Sequence, residues 1–454
     1  MSEGVYKTIA IVAGRAWKLG VTKELQDETS RVREKVTKNK SLKITMATVM
    51  AATMSLSTVN VAPAVAVPTV PTIAGSEGVP GYPHPVQHPG APTPQPFGPE
   101  YLGGYISDIS SHGYGVYLDV VDGFHDVRAN HPAIMQQNLD KVVEINNAAQ
   151  SNPSAIQRAQ KDARADKAGV LDAFSDSLGD ELGRHFRAAL RENRLPKTQF
   201  LLGNGYLARA GGVASSTFVE KMVFGYDRPF VVAPERIKKY EDGQNKYYGT
   251  SKSYPSGHTN QAVWSTTLLA LTLPELAPQI LARGSEAGNN RIVMGVHYPL
   301  DVMGGRMSGT AAAADRWNDP KMRGAIQQAG KELRAELEWR AGRPIAEVVK
   351  SDKAYRSTDQ AVREYTDRMT YGFPKIYRKD APMIVPQAAP DLLLPKFPKL
   401  TYKQRASILR QTAIPSGSPL DDQGPRGSWQ RLNMAAAFAA KVTVNGDGSV
   451  TVLR

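Results

Sequence analysis

The segment YPSGHTNQAVWSTTLLALTLPEL, residues 254–276, joins a Pro-Ser-Gly turn to a long apolar-rich run. A turn of this kind in front of such a run predicts the start of a helix. On either side, residues 154–193 and 321–342 place apolar residues at three- and four-residue spacings with charged residues between them. Because that periodicity is typical of amphipathic helices, the chain is predicted to be all-α, a helical bundle.

The composition narrows the class of protein. The 454 residues are 41% hydrophobic and 22% charged, and a mean hydropathy of −0.36 argues against a multi-spanning membrane protein. The formal net charge of +13 favours anionic partners such as phosphorylated substrates or wall polymers. No nucleic-acid partner is expected, because the basic residues form no nucleic-acid motif. The absence of cysteine excludes disulfides, thiolate catalysis and cysteine metal sites.

Two cations stand close together in the segment KMVFGYDRP, residues 221–229. Lys221 and Arg228 are seven residues apart, and seven residues make about two turns of an α-helix. This spacing predicts that both side chains lie on one face of a helix, which Pro229 ends. Such a pair by itself also occurs on many solvated helix surfaces.

Two further segments supply polar groups suited to an oxyanion. The turn Pro255-Ser256-Gly257 directs the first backbone N–H groups of its helix, and the positive end of the helix dipole, at one point. In NRIVMGVHYPLD, residues 290–301, His297 precedes Asp301 by four positions. That is a helical spacing, which predicts that the carboxylate holds one nitrogen of the imidazole.

Together these groups are what phosphoryl transfer without a metal ion requires. Cationic side chains neutralise the nonbridging oxygens, and hydrogen bonds from the turn at Ser256 add to them in the transition state. His297, oriented by Asp301, is the predicted nucleophile. A second histidine, His258, is the predicted acid that protonates the leaving group. The residues predicted to bind phosphate are Lys221, Arg228, Ser256, Gly257 and Arg291.

The three segments, in this order, resemble the signature of the type 2 phosphatidic acid phosphatase superfamily, which includes class A bacterial acid phosphatases and vanadium haloperoxidases. The pattern is Lys-x6-Arg-Pro, Pro-Ser-Gly-His and Ser-Arg-x5-His-x3-Asp, and only Asn290 departs from it, standing where serine is usual. The resemblance spans roughly Tyr101 to Trp339 and implies an all-helical core with the site at one end of the bundle. The same roles carry over to Lys221, Arg228, Ser256, Gly257, His258, Arg291, His297 and Asp301.

The chain divides into four predicted regions. Residues 1–66 are a predicted signal peptide with an extended n-region, since the uncharged run at 44–67 follows a basic stretch and contains the cleavage pattern Ala64-Val65-Ala66. Residues 67–100, rich in Pro and Gly, are a predicted linker or arm. Residues 101–345 are the predicted helical phosphatase domain. Residues 346–454 are a predicted C-terminal accessory region, whose KVTVNGDGSVTVLR ending predicts a β-hairpin.

The expected function is that of a secreted or cell-wall-associated acid phosphatase that hydrolyses small phosphate monoesters through a phosphohistidine. No cofactor is expected, orthovanadate should inhibit, and no stable membrane insertion should remain after signal cleavage. One alternative is a vanadium-dependent haloperoxidase, in which the same residues hold vanadate as a prosthetic group. The other is a phosphatase acting on lipid phosphates at a membrane surface. An uncleaved N-terminal anchor is the alternative to the signal peptide.

The remaining histidines and a second Pro-Ser-Gly turn have simpler interpretations. His84 and His88 are predicted to be solvated, because no metal-ligating partner flanks them. The turn at 415–417 lacks a following histidine and is predicted to be structural. The C-terminal region is expected to pack against the helical body. A further hypothesis is that this region lies over the site entrance. The histidines expected to be ordinary surface or core residues are His112, His125, His131 and His185.

Overall fold

Ser256 begins the central helix of the protein. The computed structural model describes residues 84–109, 116–165, 169–203, 205, 208–211, 216–241 and 251–453. In it, the Ser256 Oγ accepts a hydrogen bond from the backbone N–H of Thr259 at 3.3 Å, so the serine is the N-cap. The predicted signal peptide, residues 67–83 of the predicted arm, and His112 lie outside the described residues.

The described residues are mostly helical, which confirms the predicted all-α class. Short 3₁₀ turns cover Pro99–Tyr101, Ile106–Ile109, Ala149–Ser151, Ser175–Leu178 and Pro390–Leu393, and a π turn covers Gln199–Gly203. Two strands, β1 (Lys441–Val444) and β2 (Val450–Leu453), close the chain. The α-helices are α1 Leu118–Val121, α2 Gly123–Asn130, α3 Pro132–Ala148, α4 Pro153–Arg164, α5 Val170–Phe174, α6 Asp180–Arg191, α7 Pro196–Thr198, α8 Phe218–Phe224, α9 Pro229–Val232, α10 Gly257–Thr272, α11 Ala277–Val293, α12 Pro299–Asn318, α13 Pro320–Ala341, α14 Ile345–Ser351, α15 Thr358–Thr370, α16 Tyr402–Thr412 and α17 Met434–Ala439.

Proline and glycine set the ends of the long helices. Pro299 and Pro320 each occupy the first position of a helix, α12 and α13, where the missing N–H costs no hydrogen bond. Asp319 caps α13 by accepting from the backbone N–H groups of Lys321 and Met322 at 2.8 and 3.0 Å. Gly342, at a φ of +67°, ends α13 in the left-handed conformation.

Helices α10, α11 and α12 form the centre of the bundle, and nearly all of their residues are buried. Glycines allow them to approach closely. A Cβ added at Gly305 of α12 would lie 2.6 Å from the Ser256 carbonyl oxygen, and one at Gly284 of α11 would collide with the side chain of Thr266 on α10. The close packing of α12 on α10 therefore fixes the position of the Ser256 turn.

We expect the Gly305→Ala substitution to lower the free energy of unfolding by about 1–3 kcal/mol, because the added methyl group meets backbone atoms that cannot move away freely. Turnover should fall as well, since the displaced backbone belongs to Ser256. The matched control is Gly324→Ala on α13, where a Cβ would meet nothing within 4 Å. That change should instead stabilise the helix by about 0.5–1 kcal/mol. Urea unfolding of both variants tests this; equal effects would contradict it.

The C-terminal region shares its core with the rest of the bundle. The predicted hairpin is confirmed: β1 and β2 pair antiparallel, with Lys441 opposite Leu453 and Val444 opposite Val450. The predicted packing against the helical body is also confirmed, whereas its position over the site entrance stays a prediction. Buried side chains of α15, α16 and α17 belong to the same apolar cluster as those of α10, including Tyr365, Met369, Ile408, Phe438, Trp264 and Leu268.

The second Pro-Ser-Gly turn has the structural role predicted for it. The buried Ser416 Oγ accepts a hydrogen bond from the backbone N–H of Ala381 at 3.1 Å. Gly417 has a φ of +100°, and its carbonyl accepts from the backbone N–H groups of Ile376 and Tyr377. These bonds connect loops within the C-terminal region.

Residues 84–100 lie against the bundle. His84 is exposed, as predicted, but the prediction that His88 is solvated is wrong. The His88 Nε2 lies 2.7 Å from a Glu192 carboxylate oxygen, and its ring centroid lies 5.5 Å from that of Trp339. Arg194, which is fully buried, donates to two carbonyl groups of this segment. The acidic partner of His88 is distant in the sequence, so the local pattern did not reveal it.

Candidate active site

His297 lies in the turn between α11 and α12, with 1% of its surface exposed. Its Nε2 is 3.1 Å from Nη1 of Arg228, and its Nδ1 is 3.0 Å from Oδ2 of Asp301. Because a guanidinium group can only donate, Nε2 must carry the lone pair and Nδ1 the proton. The imidazole is therefore held in the tautomer that a nucleophilic Nε2 needs.

The carboxylate of Asp301 holds this arrangement together. Its Oδ2 accepts hydrogen bonds from the Ser253 hydroxyl at 2.5 Å and the Tyr298 backbone N–H at 2.8 Å, in addition to His297. Burial raises the pKa of Asp301 to about 6, and the hydrogen bonds from Ser253 and Tyr298 act in the opposite direction. The prediction that His297 and Asp301 share a helix is wrong. Asp301 is the third residue of α12, and His297 precedes that helix, so the carboxylate reaches back across its start.

The predicted geometry of the first two cations is also wrong, although both reach the site. Helix α8 ends at Phe224 because Gly225 adopts the left-handed conformation, and Pro229 begins α9 rather than ending a helix. Lys221 lies in the last turn of α8, and its Nζ donates to the carbonyl oxygens of residues 252 and 253 at 2.9 and 2.8 Å. Arg228 follows in extended backbone between the two helices.

The guanidinium group of Arg228 is oriented on two sides. It donates to the Val296 carbonyl oxygen at 2.8 Å, next to His297, and to the Ser251 carbonyl and hydroxyl oxygens at 2.9 and 2.8 Å. The Arg228 side chain is 3% exposed. It is therefore fixed against Nε2 of His297, where it can meet an oxygen of a bound phosphate group.

Charged residues of all three segments act on the pKa of His297. The pKa of His297 lies well below its usual range, chiefly because the ring is buried and then because of the charges of Arg228, Lys221 and Arg291. His258 acts on it in the same direction. Burial and the neighbouring Arg228 likewise lower the pKa of Lys221. An oxyanion is the partner that this concentration of positive charge favours.

The first turn of α10 provides the remaining predicted groups. The Ser256 backbone N–H donates to the Asp301 carbonyl oxygen at 3.0 Å, which ties this turn to α12. Gly257 and His258 occupy the first two helical positions, where backbone N–H groups point out along the helix axis. The partly buried His258 places its Nε2 3.3 Å from the carbonyl oxygen of Ala163, at the end of α4. All eight predicted site residues thus belong to elements that converge near His297.

Comparison with known proteins covers the part of the chain that holds these residues. A sequence model described as the PAP2 superfamily matches residues 201–324, which contain all three motifs. A non-specific acid phosphatase of Providencia stuartii is 31% identical over 182 residues, which is 40% of this chain and 68% of that protein. The chain belongs to the PAP2 superfamily. It is an enzyme of the phosphoric monoester hydrolase class, as the motifs predicted.

The matches to two other relatives cover smaller shares of those proteins. A non-specific acid phosphatase of Salmonella typhi is 27% identical over 176 residues, 39% of this chain and 65% of that protein. An acid phosphatase of Zymomonas mobilis is 38% identical over 107 residues, 23% of this chain and 39% of that protein. The PAP2 match ends at residue 324, so the C-terminal region from 346 onward lies beyond it.

Asn290 departs from the PAP2 motif, and its side chain has a definite partner. The Nδ2 of Asn290 donates to a carboxylate oxygen of Asp162 on α4 at 2.7 Å. Both residues are buried. The asparagine therefore connects α11 to α4 directly beside Arg291.

Sequence reasoning missed two serines of this PAP2 site. Ser253 donates to Asp301, and Ser251 accepts from Arg228, as described above. Both precede the Pro-Ser-Gly-His turn by a few residues, in the run SKSYPSGH. The cluster of hydroxyl groups beside the motif is the one signal that pointed to them.

The other described histidines are not among the eight predicted site residues, although the His125 ring packs against Phe224 at the end of α8, with 4.6 Å between the ring centroids. His125 is exposed, His131 lies 3.5 Å from the Asp126 carboxylate, and His185 is half-buried. Among the described residues, no group of three or more histidine or acidic side chains is arranged to hold a metal ion. None of the helices that the structure describes is both long and apolar enough to cross a membrane.

We expect the Arg228→Gln substitution to move the acidic limb of the pH profile of kcat/KM upward by about one pH unit. The positive charge of Arg228 disfavours the imidazolium form of His297. Without it the pKa of His297 rises, so the imidazole becomes protonated at a higher pH and can no longer act there as the predicted nucleophile. The control is Arg236→Gln, which removes an exposed arginine paired with Asp140. A limb that stays in place, or moves to lower pH, would contradict the assignment.

Proposed function

We propose that the protein is a secreted acid phosphatase that hydrolyses small phosphate monoesters through a phosphohistidine on His297, without a metal cofactor. The observation that carries the proposal is the buried imidazole of His297, with Nδ1 bound to Asp301 and Nε2 directed at the Arg228 guanidinium. Secretion is supported by the uncharged segment at residues 44–67 and its cleavage pattern. Those residues lie outside the part of the chain that the structure describes.

The reaction has two displacements at phosphorus. In the first, the Nε2 lone pair of His297 forms a bond to phosphorus, the bond to the ester oxygen breaks, and His258 gives its proton to that oxygen. In the second, water attacks phosphorus, His258 takes a proton from the water, and the P–N bond breaks to release inorganic phosphate. Asp301 stabilises the Nδ1–H of the phosphorylated ring throughout.

The cationic side chains do what a metal ion does in other phosphatases. Lys221, Arg228 and Arg291 surround the nucleophile and neutralise the charge that the equatorial oxygens carry in the transition state. The depressed pKa of His297 keeps the nucleophile neutral in mildly acidic solution, where a phosphatase of this type must work. Binding of a phosphate group offsets the positive charge and lets Lys221 keep its proton.

The test is a side-by-side assay of the purified protein. p-Nitrophenyl phosphate should be hydrolysed at mildly acidic pH, with the rate unchanged by EDTA and reduced by orthovanadate. Halide oxidation by hydrogen peroxide should stay at background with or without added vanadate. Loss of hydrolysis on metal removal would contradict the metal-independent mechanism. Vanadate-dependent halide oxidation would favour the haloperoxidase alternative.

A second candidate, hydrolysis of lipid phosphates at a membrane surface, is favoured by one observation. Helix α8, which carries Lys221, exposes apolar side chains: Phe218 is 46%, Met222 42% and Val223 49% exposed. Large apolar groups adjoining one another on a surface are common where a protein meets a lipid or another protein. If this face holds an alkyl chain, kcat/KM should rise from butyl to decyl phosphate, and the Met222→Ser substitution should abolish that rise.

A further inference from the structure

Asp162 on α4 lies at the centre of a buried polar cluster outside the catalytic motifs. Its carboxylate receives two hydrogen bonds from the guanidinium group of Arg283, at 3.0 and 2.5 Å, and one from Asn290 at 2.7 Å. Asp162 is 6% exposed and Arg283 is fully buried. Buried ion pairs of this kind contribute little net stability, so their value often lies in the geometry that they impose.

Asp162 connects this cluster to His258, the proposed acid, through the residue that follows it in the chain. The next residue, Ala163, places its carbonyl oxygen 3.3 Å from Nε2 of His258. A carbonyl oxygen only accepts, so Nε2 of His258 carries a proton and this hydrogen bond orients the ring. On the other side, Asn290 immediately precedes Arg291. One carboxylate thus fixes the backbone beside both His258 and Arg291.

A second contact joins the same two helices about one helical turn away and belongs to the same ion network, since Glu286 also lies 3.9 Å from Nε of Arg283 and Asp176 contacts both Arg158 and Arg283. Arg158 of α4 donates to both carboxylate oxygens of Glu286 on α11, at 2.5 and 2.9 Å. This pair connects α4 to α11 as the Asp162–Arg283 pair does, but it borders neither His258 nor Arg291 in the sequence. It also leaves α4 attached to α11 when the Asp162 contact is removed. Replacing Arg158 therefore disturbs the same ion network without removing the contacts of Asp162 and Ala163, which makes it a matched control.

We propose that Asp162 is a positioning residue for the leaving-group acid: it holds the end of α4 so that the Ala163 carbonyl keeps His258 in line with the departing oxygen. The proposal rests on the acid role proposed above for His258. Proton donation matters most for esters with poor leaving groups and little for strongly activated ones. A displaced acid therefore has a distinct kinetic signature, which a general loss of packing does not share.

The experiment measures kcat/KM of the full chain on phenyl phosphate, p-nitrophenyl phosphate and 2,4-dinitrophenyl phosphate. Asp162→Asn should lose about 30-fold or more on phenyl phosphate but less than about 3-fold on 2,4-dinitrophenyl phosphate, within the range of general-acid effects. Asp162→Glu keeps the charge opposite Arg283. It should therefore lose less activity, with the same dependence on the leaving group. The control, Arg158→Met, should change all three substrates by one common factor.

The outcomes separate this inference from the function on which it rests. His258→Ala, measured on the same series, should show the steepest dependence on the leaving group. If His258→Ala has that dependence and both Asp162 variants lose activity equally on all three esters, Asp162 is only structural and the inference is overturned. If His258→Ala itself loses equally on all three, the proposed acid role fails, and the positioning role fails with it.

Discussion

Replacing His297 by alanine is expected to lower kcat by at least about 10⁴-fold, because removal of the proposed nucleophile leaves only the contributions of binding and charge neutralisation. The side chain is buried between Asp301 and Arg228, and a water molecule in its place has no comparable nucleophilicity. Single-turnover and steady-state assays with p-nitrophenyl phosphate measure the effect. Inorganic phosphate should still bind as a competitive ligand, since the cations remain.

The control for this variant is His84→Ala, which removes an exposed histidine from the segment at residues 84–100. It should retain full activity. A His297→Ala protein that is folded, by its circular dichroism and unfolding curve, and still turns over within about tenfold of the parent would show that another group attacks phosphorus.

The second large effect is expected for Asp301→Asn, with a loss in kcat of about 10³–10⁴-fold, the size seen when a histidine loses the carboxylate that selects its tautomer. Oδ2 of Asp301 accepts three hydrogen bonds, from Ser253, Tyr298 and His297. An amide nitrogen in that place can accept none of them. Without an acceptor beside Nδ1, the His297 ring no longer keeps its proton there. The proton moves to Nε2, which then has no lone pair for attack on phosphorus.

Asp122→Asn is the control for this substitution, because Asp122 is a half-exposed aspartate paired with Arg426. It should leave kcat unchanged. If the tautomer explanation holds, the ¹⁵N chemical shifts of labelled His297 should move from a protonated Nδ1 in the parent to a protonated Nε2 in Asp301→Asn. Unchanged shifts together with unchanged activity would contradict the role of Asp301.

The sequence predicted the helical class, the terminal hairpin and the three segments that form the site. It did so because each segment contributes a group suited to binding or attacking a phosphate: a pair of cations, the start of a helix, or a histidine–carboxylate pair. The local geometry was less predictable. Gly225 ends α8 between Lys221 and Arg228, so the seven-residue spacing that indicated one helix face in fact spans a left-handed turn.

Contacts between distant residues were beyond the reach of local patterns. Asp162 meets Asn290 across more than a hundred residues, and Glu192 meets His88 across a similar separation. Neither pair has a spacing that a helix or strand period would reveal. Ser253 is different, since it lies beside the motif. The sequence could not predict the direction in which its side chain points.

The most direct test of the mechanism is rapid acid-free quenching of the enzyme during turnover of p-nitrophenyl phosphate, followed by peptide mass spectrometry. We expect a phosphoryl group on His297, stable in alkali and labile in acid, that forms as fast as p-nitrophenol is released and is absent from His297→Ala. A burst of p-nitrophenol with the phosphoryl group on a different residue, or with no phosphorylated peptide at all, would contradict the phosphohistidine mechanism.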